Sequence, residues 1–380
     1  MKKVIKYIFI TLALPFLFLF LYILVLKKKP VKLKGEIKEN NKWHKKRIEG
    51  VKCSLGAKYY AFAKKGKEKD KLVVSFSGGG AAFSKKTATK PNSLIKMLYG
   101  RSGYYFANCS SLFQLLMNGL LAENDIQNPF NDWNYIYLPY ASADFHTGRN
   151  KLACGRKKVN LTGYYNIGTA LKTLIPYFNK EGIKQILIKG DSAGAFGCVA
   201  WTEDIIKMFP SLEKIVVYSE GSQLHSPIWR DVAKDIWNAE EKQWSCLGEE
   251  GKLIVDWMKR ADAVTNQKVV WLHSNSTYDR VLSQYQNAMN FGELDLTRES
   301  MDNYHKYLVE DTKELLNSGI NYHCFICDYE MDAKGSTVHT FFRSKKLLYE
   351  TKINGITLAE WLTDCVCNEK LYNIGVELLD

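Results

Sequence analysis

The sequence predicts an α/β protein: a mostly parallel sheet covered by helices on both faces, preceded by an N-terminal transmembrane helix. Three observations carry this. From about residue 50 the chain alternates short apolar runs with longer amphipathic ones, the pattern of βαβ units. Several short runs, such as Gln185-Ile-Leu-Ile-Lys189 and Lys214-Ile-Val-Val-Tyr218, are apolar at consecutive positions, which burial on both faces of a parallel sheet explains. Ile8 to Leu26 is free of charge, rich in Ile, Leu, Val and Phe, and bounded by Lys6 and by Lys27-Lys28-Lys29.

That N-terminal run is long enough to span a hydrocarbon core of roughly 30 Å as a helix. A cleaved signal peptide would have a shorter apolar region followed by a small-residue cleavage site, and here lysines follow Leu26 directly. Residues 1–29 therefore read as an uncleaved anchor and the lysine-rich residues 30–50 as a basic tether. Lysines flank the span on both sides and do not fix its orientation; the expectation is a single-pass anchor with the catalytic domain extracytoplasmic. Of the net charge of +13, residues 1–50 supply ten, with 13 Lys and Arg against 3 Asp and Glu. The nearly neutral remainder offers no broad basic face, so no nucleic-acid partner is expected.

Residues 51–380 read as one catalytic domain. Expected strands are Lys58–Ala63, Lys71–Ser77, Asn134–Pro139, Gln185–Lys189, Lys214–Ser219, Val269–His273 and Tyr322–Ile326. Expected helices are Ser110–Ala122, Tyr164–Asn179, Ala195–Met208, Tyr278–Asn290, Met301–Ser318 and Thr340–Tyr349. The long interval near 222–267, with Trp229, Trp237 and Trp244, reads as an insertion near the site. Nine cysteines leave either disulfides or buried thiols open; Cys324, Cys327, Cys365 and Cys367 lack zinc-knuckle spacing, and no metal is expected.

The chemistry points to Gln185-Ile-Leu-Ile-Lys-Gly190-Asp-Ser192-Ala-Gly194, an apolar strand running into Gly-x-Ser-x-Gly and a small-residue helix start. On such a turn a strained backbone projects the serine oxygen above the sheet, and the following helix aims its N-terminal N–H groups at it. Ser192 is the expected nucleophile. The early strand ending at Ser77 leads into Gly78-Gly79-Gly80-Ala81, whose main-chain N–H groups can reach a pocket without side-chain obstruction. Gly80, Ala81 and Ala193 are the expected oxyanion donors. No Gly-Lys-Ser/Thr follows that glycine run, which argues against a phosphate loop. An α/β-hydrolase-like order places the acid after a late strand and the base after the last one. Asp279 and His339 fit those places; Glu220 is the rival acid, and a plain helix cap is the alternative for Asp279. This chemistry requires no cofactor.

The chain from about Tyr59 to Cys365 resembles the pectin acetylesterases and their animal relative Notum carboxylesterase. The resemblance rests on Gly78-Gly79-Gly80, Asn128-Pro-Phe-Asn-Asp-Trp-Asn134 with Tyr137-Leu-Pro-Tyr140, Gly190-Asp-Ser-Ala-Gly194, and Ser219-Glu220-Gly221. Thr277-Tyr-Asp279 with Gln284, then His339, and finally Asn354-Gly-Ile-Thr-Leu-Ala-Glu-Trp361 complete it. It implies a serine hydrolase acting through Ser192, Asp279 and His339 on an acetylated carbohydrate or other ester. Ala81 stands where the family often has a large aromatic, and Cys327 lies farther from the histidine than is usual there. Asp144 and His146, in the segment after the strand near Tyr137, are read with Glu220 as candidate substrate-binding residues that could hydrogen-bond sugar hydroxyls.

Overall fold

The computed structural model describes residues 30–93, 103–109, 117–155, 157–266 and 268–380, together with 15, 16, 18 and 19. The strands in chain order are β1 (Val31–Lys32), β2 (His44–Lys52), β3 (Lys58–Lys64), β4 (Glu68–Phe76), β5 (Trp133–Leu138), β6 (Asn150–Cys154), β7 (Lys157–Leu161), β8 (Gln185–Asp191), β9 (Lys214–Glu220), β10 (Val269–Ser276) and β11 (Tyr322–Cys327). Helices of ten residues or more are α1 (Gly163–Leu174), α2 (Ala193–Ile206), α3 (Leu253–Val264), α4 (Arg280–Phe291), α5 (Arg298–Leu316) and α6 (Leu358–Cys367).

Nine strands form one sheet in the order β1-β2-β3-β5-β4-β8-β9-β10-β11, and the six from β5 to β11 are parallel to one another. β3 runs antiparallel to both of its neighbours. The strands bury both faces, as their consecutive apolar runs predict. Leu72, Val74, Ile186, Ile188, Ile215 and Val217 enter one core with residues of α1, α2 and α3. Val73, Leu187, Val216, Leu272 and Phe325 enter a second core with Trp361 and Leu362 of α6. Helices cover both sides of an α/β-hydrolase-like sheet.

All seven expected strands exist, with ends shifted by a few residues. Residues 30–50, expected as a tether, instead enter the sheet. β1 and β2 lie there, and Trp43, 1% exposed, packs edge-on against Tyr135 and Tyr137. The dense lysines of this stretch point outward and hid a half-buried strand. Of the expected helices, Thr340–Tyr349 shortens to Lys345–Tyr349 and Ser110–Ala122 falls largely outside the described residues. The interval between β9 and β10 holds α3 and shorter turns. The span Ile8–Leu26 lies outside the described residues except for Pro15, Phe16, Phe18 and Leu19. No helix among the described residues is long and apolar enough to cross a membrane. All nine cysteines are free, and Cys53, Cys198, Cys324, Cys327 and Cys365 are buried.

The chain leaves β4 toward β5 on one side and later returns to β8 on the other, so the strand order reverses between β4 and β8. Connections leave these two neighbours in opposite directions and open a crevice at their carboxyl ends, where ligands bind in open α/β sheets.

Candidate active site

Five carboxyl ends meet at this crevice. β4 delivers Gly78–Gly80, β8 delivers Ser192, β9 ends on Glu220, β10 leads to Asp279 and β11 leads into the loop that carries His339. A cleft of about 360 Å³ is lined by Gly78, Gly79, Gly80, Ser192 and His339, with Phe106, Val281, Gln284, Tyr285, Leu294 and Arg343 on its walls.

Ser192 sits between β8 and α2 with φ +52° and ψ −127°, a conformation non-glycine residues avoid at a cost of about 1–3 kcal/mol. Its N–H is held by the Glu220 carbonyl at 2.7 Å. The β4 loop passes so close that a Cβ at Gly78 would meet the Asp191 carbonyl oxygen at 2.4 Å and the Ser192 Cβ at 2.7 Å. Any side chain there would push the glycine loop away from Ser192.

Asp279 caps a helix and pairs with His339 at the same time. Oδ1 accepts from the N–H groups of Val281 and Leu282 at 2.9 Å each, capping α4, while Oδ2 accepts from His339 Nδ1 at 2.7 Å. The carboxylate is wholly buried. Burial by itself lowers the imidazole pKa, but the charge and hydrogen bond of Asp279, with Asp191 and Glu220 beyond, outweigh it and leave it above the usual 6.5. His339 Nε2 is buried and has no hydrogen-bond partner among the described residues. Its other nitrogen is fixed by Asp279, so Nε2 is the atom left to exchange a proton in the cleft shared with Ser192.

The oxyanion donors need a correction. The Ala81 N–H donates to the Tyr104 carbonyl at 2.9 Å, beside the Tyr285 hydroxyl, which bonds the same carbonyl. It is therefore not available to an anion. Among the described residues no acceptor takes the N–H of Gly79, Gly80 or Ala193, and these lie in the loop and the helix start that flank Ser192. The sequence showed the glycine run but not the segment 103–106 that pairs with it.

Asp144 and His146 are also corrected: neither lines the cleft. Asp144 is wholly buried, with Oδ1 accepting from Ser142 Oγ at 2.6 Å and His146 N at 3.1 Å, and Oδ2 accepting from Gly163 N at 2.7 Å. Burial raises its carboxyl pKa to about 7. His146, 1% exposed, is driven by burial to a pKa of about 4 and donates from Nε2 to the Ser77 carbonyl at 3.0 Å. Both brace a turn in which Ala143, Phe145 and His146 all have positive φ. Asp144→Ala leaves buried N–H groups unpaired and is expected to lower stability by about 2–4 kcal/mol with KM unchanged. Urea midpoints and ester kinetics check this; a weakened KM at an unchanged midpoint would restore the sugar-contact role.

Glu220 is wholly buried as well and does not line the cleft. Its carboxyl group accepts from Phe341 N, Phe342 N and the Tyr218 hydroxyl while His339 Nδ1 is taken by Asp279, so it is neither the acid paired with His339 nor a substrate contact. Arg343 escaped sequence reasoning. It reaches Asp191 at 2.9 Å and Ser77 Oγ at 3.1 Å and lines the cleft; a lone arginine in an irregular loop carries no sequence signal. No group of three or more His, Cys, Asp and Glu among the described residues is arranged to hold a metal.

The pectinacetylesterase family model matches residues 39–222. That stretch holds the glycine loop and Ser192 and ends before Asp279 and His339. No curated protein matches the chain. Among solved structures, the chain is similar to the Wnt deacylase Notum from Drosophila, at 15% identity and a TM-score of 0.58, covering 87% of this chain and 94% of that one. At that identity the likeness is one of fold.

Proposed function

We propose that the chain, whose residues 39–222 match the pectinacetylesterase family model, is a carboxylic ester hydrolase that removes acetyl groups from a polysaccharide or glycoconjugate through Ser192, His339 and Asp279. The observation that carries this is the 2.7 Å bond from His339 Nδ1 to Asp279, which leaves Nε2 free in the cleft that Ser192 lines. His339 Nε2 takes the Ser192 proton as Oγ attacks the ester carbonyl. The N–H groups of Ala193 and of the glycine loop receive the charge of the tetrahedral intermediate. The protonated imidazole then gives its proton to the departing alcohol, and water, activated by the same nitrogen, hydrolyses the acetyl-enzyme. Acetate release from a panel of acetylated polysaccharides tests the substrate class; no release from any of them sinks it.

A second reading, a deacylase for longer chains, is favoured by Phe106, Val281 and Leu294 on the cleft wall. Ranking acetate against octanoate esters separates the two, since a pocket fitted to acetyl groups loses turnover as the chain grows. We read Ile8–Leu26 as a membrane anchor that holds the catalytic domain outside the cytoplasm, on the strength of its uncharged length between lysines. Protease treatment of intact cells tests the orientation: a domain resistant until the cells are broken is on the wrong side.

A further inference from the structure

Glu220 makes no contact with the cleft, yet all of its acceptor capacity is engaged. Oε1 accepts from Phe341 N at 3.0 Å and Phe342 N at 3.2 Å; Oε2 accepts from Phe342 N at 3.1 Å and from the Tyr218 hydroxyl at 2.7 Å. The Tyr218 hydroxyl lies in turn 2.8 Å from Ser274 Oγ on β10. On its main chain, the same residue accepts the Ser192 N–H at 2.7 Å. We propose that Glu220 is a positioning residue that ties the catalytic base to the nucleophile turn, its carbonyl holding Ser192 and its carboxyl group holding the two N–H groups that follow His339 by two and three residues. This rests on the triad reading above and adds to it the device that aims the base.

The base needs such a device. His339 belongs to an irregular stretch between β11 and Lys345–Tyr349, where no sheet ladder fixes the backbone. Two residues before His339, Thr337 is held by the exit of β10: its N–H donates to the Tyr278 carbonyl at 2.9 Å and its carbonyl accepts from Arg280 N at 3.2 Å. After His339 the Phe342 carbonyl accepts from Leu120 N at 3.2 Å and the Phe341 carbonyl from Ser344 N at 2.9 Å. Among the described residues, however, no main-chain acceptor takes the N–H groups of Phe341 and Phe342, and Glu220 takes that place. Both phenylalanines are wholly buried, so their N–H groups demand an acceptor. The turn is shaped for the purpose. Gly221 has φ +62°, and a Cβ there would lie 2.9 Å from the His339 carbonyl oxygen. With Nε2 unpartnered, only the bond to Asp279 and the anchors on either side of the loop set the direction of the ring.

A carboxylic acid and a carboxamide can both serve. Glu220 is raised to a pKa of about 7 by burial, with Asp191 adding to the shift, and Oε1 accepts both N–H groups whether or not the carboxyl is protonated. In Glu220→Gln the amide oxygen keeps those bonds, and the new N–H donates to Tyr218. Glu220→Ala removes them all.

The test is steady-state hydrolysis of a chromogenic acetate ester by wild type, Ser192→Ala, Glu220→Gln, Glu220→Ala and Tyr218→Phe. In Glu220→Ala kcat is expected to fall about ten- to a hundredfold with KM within about twofold, because the base is misaimed rather than the substrate lost. Glu220→Gln is expected to stay within about threefold of wild-type kcat. Wild-type kcat in Glu220→Ala overturns the proposal, and so does a Glu220→Gln enzyme as slow as the alanine variant, which would assign the effect to charge. Where circular dichroism shows Glu220→Ala unfolded, Tyr218→Phe decides: a fall in kcat of about threefold or more at unchanged KM supports the clamp, and unchanged kcat overturns it. A wild type without turnover, or turnover that survives in Ser192→Ala, sinks the esterase reading instead, so the two failures are told apart.

Discussion

Ser192→Ala is expected to lower kcat for acetate esters at least about ten-thousandfold while leaving circular dichroism and the thermal midpoint close to those of wild type. The reason is chemical and local. Without Oγ there is no acyl-enzyme, and the remaining donors can stabilise only direct attack by water. The fold has little to lose, because Ser192 makes no side-chain cap to α2, and alanine tolerates the positive φ about as badly as serine does. Mass spectrometry after a short reaction with a slow acyl donor gives an independent reading: one acyl group on the wild type and none on the variant. Turnover comparable with wild type would end the mechanism.

Replacing Asp279 separates two functions of one carboxylate. Asparagine caps helices as well as aspartate does, so Asp279→Asn keeps the bonds to Val281 and Leu282 and is expected to fold with near-normal stability. It cannot orient His339 with Nδ1 protonated or balance the imidazolium, and kcat is expected to fall about ten-thousandfold. Asp279→Ala loses both functions, adding a stability loss of about 1–2 kcal/mol from the vacated cap. The pH profile carries a second signature. His339 acts as a base only when neutral, and its raised pKa means that kcat/KM falls as pH drops through a value above 6.5. The charges acting on the ring are Asp279, Asp191 and Glu220. Removing the first of them lets burial dominate, so the acid limb of any residual activity in Asp279→Asn is expected to move to lower pH. An Asp279→Asn enzyme with normal kcat and an unmoved limb would remove the carboxylate from the reaction.

Parts of the site were legible because they are written in consecutive residues. Gly190 to Gly194 after an apolar strand, and Gly78 to Gly80 after another, announce a strained strand-to-helix turn and a closely apposed glycine loop from local backbone requirements alone. Asp279 was ambiguous between a cap and a partner for the histidine, because either follows from its place at the start of a helix; one carboxylate oxygen caps the helix and the other accepts from His339. Asp144 and His146 looked like pocket residues because polar side chains after a strand end often are. Their burial depends on Ser142, Gly163 and Ser77, and Gly163 and Ser77 lie 19 and 69 residues away along the chain. The lysines of residues 30–50 masked β2, since charge on an exposed face says nothing about the buried Trp43 that immediately precedes the strand.

The amino-acid sequence by itself determined the parallel α/β body, through consecutive apolar runs that a sheet buried on both faces satisfies, and it determined the strained turn at Ser192, through backbone demands met within five residues. Tertiary structure alone decided which N–H groups remain for an oxyanion, which acids are sealed in the core, and that Glu220 bridges Ser192 and the loop of His339. Those outcomes depend on partners brought together from opposite ends of the domain. A hydrogen bond belongs to whichever donor the folded chain delivers, and neither residue type nor spacing names that donor in advance.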